Sequence, residues 1–324
     1  MRIARRALIA GAAAAAVSPS LAACQRAKAS VGNSSRKKVR LTYGITSVAK
    51  TRGVFEPTLR DQGIDFEWIG PFPNHAPTLQ AVATDTADFS FGGSSTPADQ
   101  AILAGAKLSF VSWAVTTPRT TSIIVLPKSG ITSVAGLVGK TVAVNRAGVA
   151  EFLLVAALEK NGVPRDRVNV VYLNPPDAAP AFASGAVDAW SIWTGPLELT
   201  EVQYGAIRIF EEGKELHMAI DFTTYLVRDD YVRAEADTIR SVIKAHQAEI
   251  DWANEHRVEA HALANQISKY PQAVVDKLVS YGSHTTLSFI DDKGIAALQD
   301  GADWLTEHGV LSGKIRIADH AVPL

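Results

Sequence analysis

The segments TLQAVATDTADF (residues 78–89) and AAPAFASGAVDAW (residues 178–190) decide the fold, because they share one local pattern. In each, a run with helical spacing leads through a short turn to an aspartate, Asp88 or Asp188, that opens an apolar strand. We interpret the pair as an internal repeat. Two copies of one helix–turn–strand unit predict two lobes of similar architecture.

Strands and helices alternate around both copies, which is typical of α/β proteins with parallel sheets. The predicted strands are residues 39–45, 65–69, 89–91, 108–113, 141–144, 168–172 and 188–193. A helix is predicted at 149–160, and another after Asp177. We expect the chain to cross back at 221–225 and to continue as a long helical region at 234–268.

The order of these elements predicts a two-lobed α/β protein. Lobe 1 is expected to comprise residues 39–122 and 223–324, and lobe 2 residues 123–222. Open α/β sheets bind ligands at the carboxyl ends of their strands. Two equivalent lobes place two such edges opposite each other, so the sequence predicts a ligand cleft between the lobes.

The first 38 residues have the character of an export leader and a tether. Three arginines, Arg2, Arg5 and Arg6, precede an apolar run that is too short to span a bilayer. The run ends in Leu-Ala-Ala-Cys24, which resembles a bacterial lipoprotein box. We predict a signal peptide at residues 1–23, a lipid anchor on Cys24 and a flexible tether at 24–38. Secretory and twin-arginine export both stay open.

Composition sets limits on function. With 47% hydrophobic residues the chain has enough apolar side chains for two buried cores. It has 32 basic and 33 acidic side chains, and loss of the three leader arginines leaves a net charge near −4, so nucleic acid is not an expected partner. Cys24 is the sole cysteine, and the histidines are scattered, so we expect no disulfide, metal site or cofactor. His246 is interpreted as a packed core residue.

Three catalytic patterns fail in this sequence, and we therefore predict no enzyme. Gly136–Thr141 ends like a phosphate loop, but Val134 stands where the first glycine belongs. Gly92–Thr96 resembles a nucleophile elbow, but Thr96 replaces its final glycine. A cysteine nucleophile is unavailable because Cys24 is assigned to the anchor.

Polar loops after two predicted strands are suited to holding an anion. Ser94, Ser95 and Thr96 follow the strand at 89–91 and precede a helix, and Ala147-Gly148 occupy the same position in the second unit. Helix amino termini favour negative charge. Arg119, near the first crossover, has a planar guanidinium group that can donate two hydrogen bonds to a sulfonate or carboxylate. The alternative interpretations are that the hydroxyls of the first loop only cap the helix, and that the Arg119 side chain is exposed to solvent.

Asp188, Trp190 and Trp193 lie at or near the ends of one strand. Their aromatic faces are predicted to pack against an organic group, and the carboxylate to bind an amine or backbone donor. Packing in the core readily explains one tryptophan in this segment, but it explains two tryptophans less well.

Four segments together resemble the periplasmic substrate-binding proteins of ABC importers for aliphatic sulfonates, taurine and nitrate. They are Ala87-Asp88-Phe89 with residues 92–97, GKTVAVN (139–145), LNPPDA (173–178) and VDAWSIW (187–193). The resemblance covers residues 39–289. It implies a type II periplasmic-binding-protein fold that closes on its ligand without covalent chemistry, acts as a monomer, and docks with a permease and its ATPase.

The resemblance implies that Ser94, Ser95, Thr96, the segment 188–193 and Tyr225 line the ligand site. The predicted ligand-binding residues are Thr46, His75, Ser94, Ser95, Thr96, Arg119, Ala147, Gly148, Asp188, Trp190, Trp193 and Tyr225. Three departures from the family pattern stand out. Ala147–Ala150 replaces a Gly-Ser-Ser stretch, Gly195 replaces an aspartate, and Asn74-His75 replaces a glycine-rich turn.

The leading interpretation is an exported, lipid-anchored solute-binding protein that captures a small organosulfonate or similar anion for an ABC importer. Two alternatives stay open. One is an enzyme on the same scaffold, of the desulfinase or thiamine-pyrimidine-synthase type, although the desulfinase type relies on a cysteine that is absent here. The other is a sensory ligand-binding lipoprotein.

Overall fold

The computed structural model describes residues 37–324. The predicted signal peptide, the lipidation site Cys24 and the tether up to residue 36 lie outside the described residues. The first strand begins at Lys37, two residues before the predicted start of the folded part. Within residues 37–324, no helix is long and apolar enough to cross a membrane.

Two sheets form the framework of residues 37–324. The strands are β1 (Lys37–Gly44), β2 (Ile64–Phe72), β3 (Phe89–Ser94), β4 (Leu108–Thr117), β5 (Ser122–Val125), β6 (Thr141–Val144), β7 (Asn169–Tyr172), β8 (Ala189–Ile192), β9 (Ile207–Glu211), β10 (Thr223–Arg228) and β11 (His284–Phe289). The six-stranded sheet has the order β11-β4-β10-β3-β1-β2, and the five-stranded sheet has the order β7-β6-β8-β5-β9. We call these sheets, with the helices packed on them, the first and second lobes.

Helices connect the strands of both lobes. They are α1 (Val48–Arg52), α2 (Phe55–Asp61), α3 (His75–Ala83), α4 (Ser95–Leu103), α5 (Val149–Lys160), α6 (Pro175–Ser184), α7 (Pro196–Tyr204), α8 (Glu212–Glu215), α9 (Asp229–Ala234), α10 (Ala236–Glu255), α11 (Arg257–Ser268), α12 (Gln272–Ser280) and α13 (Asp292–Glu307). Short 3-10 helices lie at Pro127–Ser129, Val134–Leu137, Arg165–Arg167 and Ile317–Asp319. The predicted α/β class is confirmed, and the helical region predicted at 234–268 is the pair α10 and α11.

The sheets are mixed, and the parallel pairing expected from the alternation of strands and helices is found in part of each sheet. β1 pairs in parallel with β2 and β3, and β6 pairs in parallel with β7 and β8. The chain then returns from the second lobe as β10, which inserts antiparallel between β3 and β4, while β5 runs antiparallel to β8. Such pairings join segments distant in sequence, and local alternation carries no information about them.

The repeated aspartates hold the same position in the two lobes. Asp88 accepts from the backbone N–H of Arg40 through Oδ2 at 2.8 Å, and its own N–H donates to the Arg40 carbonyl. Asp188 does the same with Thr141, at 2.9 Å. Each carboxylate thus binds the backbone of the neighbouring parallel strand. This shared contact explains why both repeats need an aspartate there.

Buried apolar residues join the two lobes. Phe152 on α5 of the second lobe is fully buried, and its ring meets Trp304 on α13 edge-on at 5.4 Å. Val155 and Ala156 of the same helix belong to this cluster, together with Leu305. Helix α5 therefore packs on its own sheet and on the first lobe at once.

Polar contacts join the lobes as well. Lys277 of α12 lies 2.9 Å from Glu201 of α7, and the Tyr281 hydroxyl donates to Glu198 at 2.7 Å. Glu198 is fully buried, and Arg208 on β9 contacts both glutamates and Tyr281. A buried charge network of this kind is well satisfied only when the lobes keep this relative position.

Candidate ligand-binding cleft

A cavity of about 450 Å³ lies between the two lobes. It is lined by loops that follow β1, β2 and β3 on one side and by loops that follow β6 and β8 on the other. These are the carboxyl ends of the parallel strands, where open α/β sheets bind ligands. The volume suits a small organic molecule. The arrangement matches the predicted cleft between lobes.

Five of the twelve predicted ligand-binding residues line this cavity. They are Thr46, His75, Ser94, Gly148 and Trp193. Their roles in binding stay predictions. The other seven residues lie outside the lining, and each has a physical reason for its position.

His75 at the start of α3 is locked in place. Its Nδ1 lies 2.8 Å from the Ser94 carbonyl oxygen, which only accepts, so Nδ1 carries the hydrogen. Its Nε2 lies 2.6 Å from the Ser90 hydroxyl, which therefore donates to it. Burial lowers the pKa of His75 to about 4. The ring is a neutral part of the cavity wall at physiological pH, and it supplies no positive charge.

The titration of His75 predicts acid sensitivity. Because its pKa in the folded protein, about 4, lies below the ordinary 6.5, the unfolded chain binds this proton more tightly. Stability should fall as pH drops from about 6.5 to about 4, by up to about 1.4 kcal/mol per pH unit from this residue. Urea unfolding of the wild type and of His75→Asn across this range measures the effect. An equally steep acid loss in both proteins would contradict it.

Asp221 is the residue that sequence reasoning missed. It lies just before β10, and the pairing of Thr223 with Ser94 brings it against the loop at the start of α4. Its Oδ1 accepts from the Ser94 hydroxyl at 2.5 Å, the Thr96 hydroxyl at 2.8 Å, the Thr96 N–H at 3.2 Å and the Ser95 hydroxyl at 3.3 Å. Asp221 is 8% exposed and lines the cavity.

This contact changes the interpretation of the first-lobe loop. The hydroxyls of Ser94, Ser95 and Thr96 were predicted to donate to a ligand anion, but they donate to the carboxylate of Asp221. The N–H of Ser95 donates to the Phe222 carbonyl. Ser95 and Thr96 are buried below the cavity surface. An internal carboxylate occupies the helix amino terminus where an external anion was expected.

Burial raises the pKa of Asp221, whereas its hydrogen-bond donors and Arg119 act to lower it. Asp99 of α4 is also buried, and burial together with the nearby charge of Asp221 raises its pKa well above the ordinary value. Asp221 is the acidic side chain that lines this end of the cavity.

Arg119 does not line the cavity. Its Nη1 donates to Glu212 Oε1 at 3.1 Å and to the Asp221 carbonyl oxygen at 2.7 Å, and its guanidinium lies 5.3 Å from the Phe222 ring centroid. The side chain is 18% exposed. Arg119 thus neutralises a buried glutamate beside the crossover. No lysine or arginine of residues 37–324 lines the cavity, although Lys50 stacks on the ring of Tyr43 at 4.7 Å.

Four further predicted residues also lie away from the lining. Asp188 sits at the amino end of β8, opposite the cleft edge, and Trp190 is 1% exposed against Phe182. The hydroxyl of buried Tyr225 lies 3.1 Å from Nε2 of His246. The N–H of Ala147 donates to Glu151 at 2.7 Å. Each side chain or amide is already used within the fold.

Substitution of Asp188 tests the structural role of the repeat. Asp188→Ala removes the acceptor for the Thr141 N–H, and hydrogen bonds to charged groups contribute about 1.5–3 kcal/mol. We expect a loss at the lower end of that range, because Asp188 is partly exposed, with unchanged ligand affinity. Denaturant unfolding and calorimetric titration of the same variant measure both. A selective loss of affinity would instead place Asp188 in binding.

Aromatic side chains form much of the remaining wall. The aromatic lining residues are Tyr43, Phe72, Phe91, Trp193 and Tyr270. Of these five, only Trp193 was among the predicted ligand-binding residues. Tyr270 also explains a departure from the family pattern. Gly195 adopts φ 97, and a Cβ there would lie 3.1 Å from the Tyr270 hydroxyl, so an aspartate would be strained and crowded.

Residues of the second lobe offer donors to a ligand. Gly148 and Val149 at the start of α5 line the cavity with Asn145. The first amides of a helix have no partner within the helix, and they carry partial positive charge. The Asn145 side-chain amide donates to Asn174 at 2.9 Å. Across the described chain, no group of three or more histidine, cysteine or acidic residues is arranged to hold a metal ion.

Comparison with known proteins agrees with this architecture. The NMT1/THI5-like family matches residues 44–260. A protein of Bacillus subtilis (strain 168) named as an aliphatic sulfonates-binding protein is 31% identical over 304 residues, covering 92% of this chain and 90% of the relative. One with the same name from Escherichia coli (strain K12) is 27% identical over 288 residues, covering 88% of each.

A solved structure shares both fold and sequence. The alkanesulfonate-binding protein SsuA of Xanthomonas axonopodis pv. citri, solved bound to MOPS, superposes with a TM-score of 0.80 and 26% identity, covering 89% of this chain and 98% of that one. All three relatives are named as sulfonate-binding proteins, and this chain shares the fold of the solved one. The chain therefore belongs to the NMT1/THI5-like family, within its group of periplasmic aliphatic sulfonate-binding proteins.

Proposed function

We propose that this protein captures a small organosulfonate, or a similar anion, outside the cytoplasm and delivers it to the permease and ATPase of an ABC importer. The observation that carries the proposal is the cavity between the lobes, whose walls come from the loops of both sheets. A ligand that contacts both walls stabilises the closed arrangement of the lobes. Binding then supplies the signal for docking.

The sulfonate is placed at the second-lobe wall. Gly148 and Val149 present the amino terminus of α5, a helix of 12 residues, and Asn145 adds a polar side chain, while Thr46 of the first lobe lines the same cavity. Helix amino termini and neutral donors hold oxyanions without a full positive charge. The opposite wall contains the Asp221 carboxylate and is the less favourable end for a sulfonate.

The proposal also includes export by a signal peptide and attachment to the membrane by a lipid anchor. A signal peptide at residues 1–23 and a lipid on Cys24 would hold a monomeric two-lobed domain at the outer face of the cytoplasmic membrane, through the tether at 24–38. The lobe boundaries at residues 122 and 222 belong to the same proposal. Metabolic labelling with a radioactive fatty acid, in wild type and Cys24→Ala, tests the anchor.

Isothermal titration tests the binding function. Purified protein is titrated with taurine, alkanesulfonates, aromatic sulfonates, nitrate and bicarbonate in a phosphate buffer, because sulfonate buffers would compete. We expect saturable binding of at least one sulfonate, and none of nitrate or bicarbonate at the same concentration. A folded protein that binds no sulfonate would overturn the assignment.

The enzyme alternative has less support. Residues 37–324 contain no cysteine, so the nucleophile of the desulfinase type is missing. Product formation by the purified protein, in the absence of any transporter, would favour the enzyme alternative. A sensory role shares the same cavity, and the identity of neighbouring permease and ATPase genes distinguishes it from transport.

A further inference from the structure

A buried carboxylate lies in the first turn of the helix at which the sulfonate is placed. The side chain of Glu151 on α5 is 5% exposed. Its Oε2 accepts from the Ala147 N–H at 2.7 Å, and its Oε1 accepts from the Tyr172 hydroxyl at 2.7 Å. Gly148 and Val149, which line the cavity, lie between Ala147 and Glu151 in the sequence. A negative charge therefore lies within one helical turn of the amides that are proposed to hold the anion.

Glu151 also sets the shape of the loop before α5. Ala147 has a φ of 46, a left-handed conformation that is uncommon for a residue other than glycine. Such a conformation persists when surrounding contacts fix it, and the hydrogen bond from the Ala147 N–H to Glu151 is such a contact. The carboxylate thus holds the loop in place at the cavity, but it also brings a charge of the wrong sign for a sulfonate.

The charge of Glu151 opposes the binding of an anion unless a cation offsets it. At an effective dielectric constant of about 20, a like charge about 10 Å away weakens binding by about tenfold. No lysine or arginine of residues 37–324 lines the cavity. The compensating positive charge must therefore come from a side chain outside the cavity lining.

Arg165, in the short 3-10 helix between α5 and β7, supplies this charge. Its Nη2 donates to Glu151 Oε1 at 2.6 Å, and its Nη1 donates to the His308 carbonyl oxygen at 3.3 Å. Within the part of the chain that the structure describes, Arg165 is the one cation at ion-pair distance from Glu151. His308 follows the last residue of α13 in the first lobe, where backbone carbonyls lack a partner within the helix. Arg165 is therefore held by both lobes.

We infer that Arg165 is a positioning residue for the ligand, because it neutralises Glu151 and fixes that carboxylate against the loop before α5. The inference rests on the proposed function and deepens it. With Arg165 in place, Glu151 shapes the loop without repelling the sulfonate, and the α5 amino terminus keeps its affinity for an anion. Arg165 lies outside the cavity lining, so it acts through Glu151.

Removal of the Arg165 charge is the first test. The purified full chain is titrated calorimetrically at pH 8 in phosphate buffer with the sulfonate of the panel above (taurine, an alkanesulfonate or an aromatic sulfonate) that the wild type binds most tightly. We expect Arg165→Met to bind it about tenfold more weakly. Arg167→Met is the matched control, because Arg167 lies in the same 3-10 helix and is exposed. It should bind within about threefold of the wild type, since exposed charges are screened by solvent.

Variants of Glu151 separate a charge effect from a structural one. Glu151→Gln keeps an acceptor for the Ala147 N–H and removes the negative charge, so we expect tighter binding of the same sulfonate, by up to about tenfold. The double variant Glu151→Gln/Arg165→Met should return to within about threefold of the wild type. A merely structural role predicts the opposite pattern, in which each change weakens binding and the double variant binds no better than Arg165→Met.

The outcomes distinguish the inference from the proposed function. Wild-type affinity in Arg165→Met overturns the inference alone, as does unchanged or weaker binding by Glu151→Gln, or a double variant that stays as weak as Arg165→Met. Urea unfolding establishes that each variant is folded. If Arg165→Met does not fold, the change of affinity in Glu151→Gln decides the question. A wild type that binds no sulfonate overturns the proposed function, and the inference with it.

Discussion

Replacement of Gly93 by alanine is expected to destabilise the protein and to abolish ligand binding. A Cβ at Gly93 on β3 would lie 2.2 Å from Cγ and 2.5 Å from Cβ of His75, far inside van der Waals contact. His75 cannot yield easily, because both ring nitrogens are held by hydrogen bonds. Overpacking of this kind costs about 1–3 kcal/mol or more, and any relief moves His75 at the cavity wall. Urea unfolding and calorimetric titration measure the two effects.

Gly44 supplies the matched control for Gly93. It also lines the cavity, but a Cβ there would meet only the Phe72 carbonyl oxygen, at an ordinary 3.9 Å. Gly44→Ala should change stability by less than about 1 kcal/mol. Equal behaviour of the two alanine variants would show that the contact between Gly93 and His75 does not constrain the cavity.

Replacement of Phe152 by alanine is expected to cost about 3–5 kcal/mol of stability, the range for a large buried aromatic side chain. Phe152 is fully buried on α5 and contacts Trp304 across the lobes. The same helix presents Gly148 and Val149 to the cavity. We therefore expect a weaker ligand affinity as well, because α5 loses its support on the first lobe. Urea unfolding and titration with the best ligand measure both.

Replacement of Phe182 by alanine is the control that separates the loss of stability from the loss of ligand affinity. Phe182 is equally buried, but it packs on Trp190 in a cluster confined to the second lobe. Phe182→Ala should cost a similar amount of stability and leave ligand affinity nearly unchanged in the folded fraction. If both variants lose the same affinity, the contact between the lobes has no special role in binding.

Local patterns predicted the parts of the fold that depend on neighbouring residues. The helix at 149–160 and the strand at 141–144 coincide with α5 and β6. The two aspartate turns also appear as predicted, because helical spacing, turn residues and the strand pattern lie within one short segment. The strands β5, β9 and β11 were not predicted, and their pairing depends on distant segments.

Sequence patterns carried the least information about the contacts within the candidate site. Hydroxyls at Ser94–Thr96 have the same local signature whether they bind a ligand or an internal carboxylate. Their partner Asp221 comes from a segment more than a hundred residues away, brought in by β10. The contact of Arg119 with Glu212 could not be predicted for the same reason, since Glu212 is equally remote in sequence. The position of Asp221 before the predicted crossover strand was the one available signal.

Trp190 and Trp193 show that the end of a strand must be known before its ligand-binding residues can be predicted. Trp190 lies within β8, and its side chain packs in the core, whereas Trp193 follows the strand and reaches the cavity. The distinction depends on where the strand ends, a boundary that sequence patterns fix poorly. Residues just beyond a parallel strand are the better candidates for ligand contact.

A structure of the protein crystallised with the sulfonate that binds it most tightly tests the central claim most directly. We predict one ligand molecule in the cavity between the lobes, with its sulfonate at the amino terminus of α5 and with contacts to both lobes. A ligand bound elsewhere on the molecule would contradict the account. So would a ligand in the cavity that contacts a single lobe.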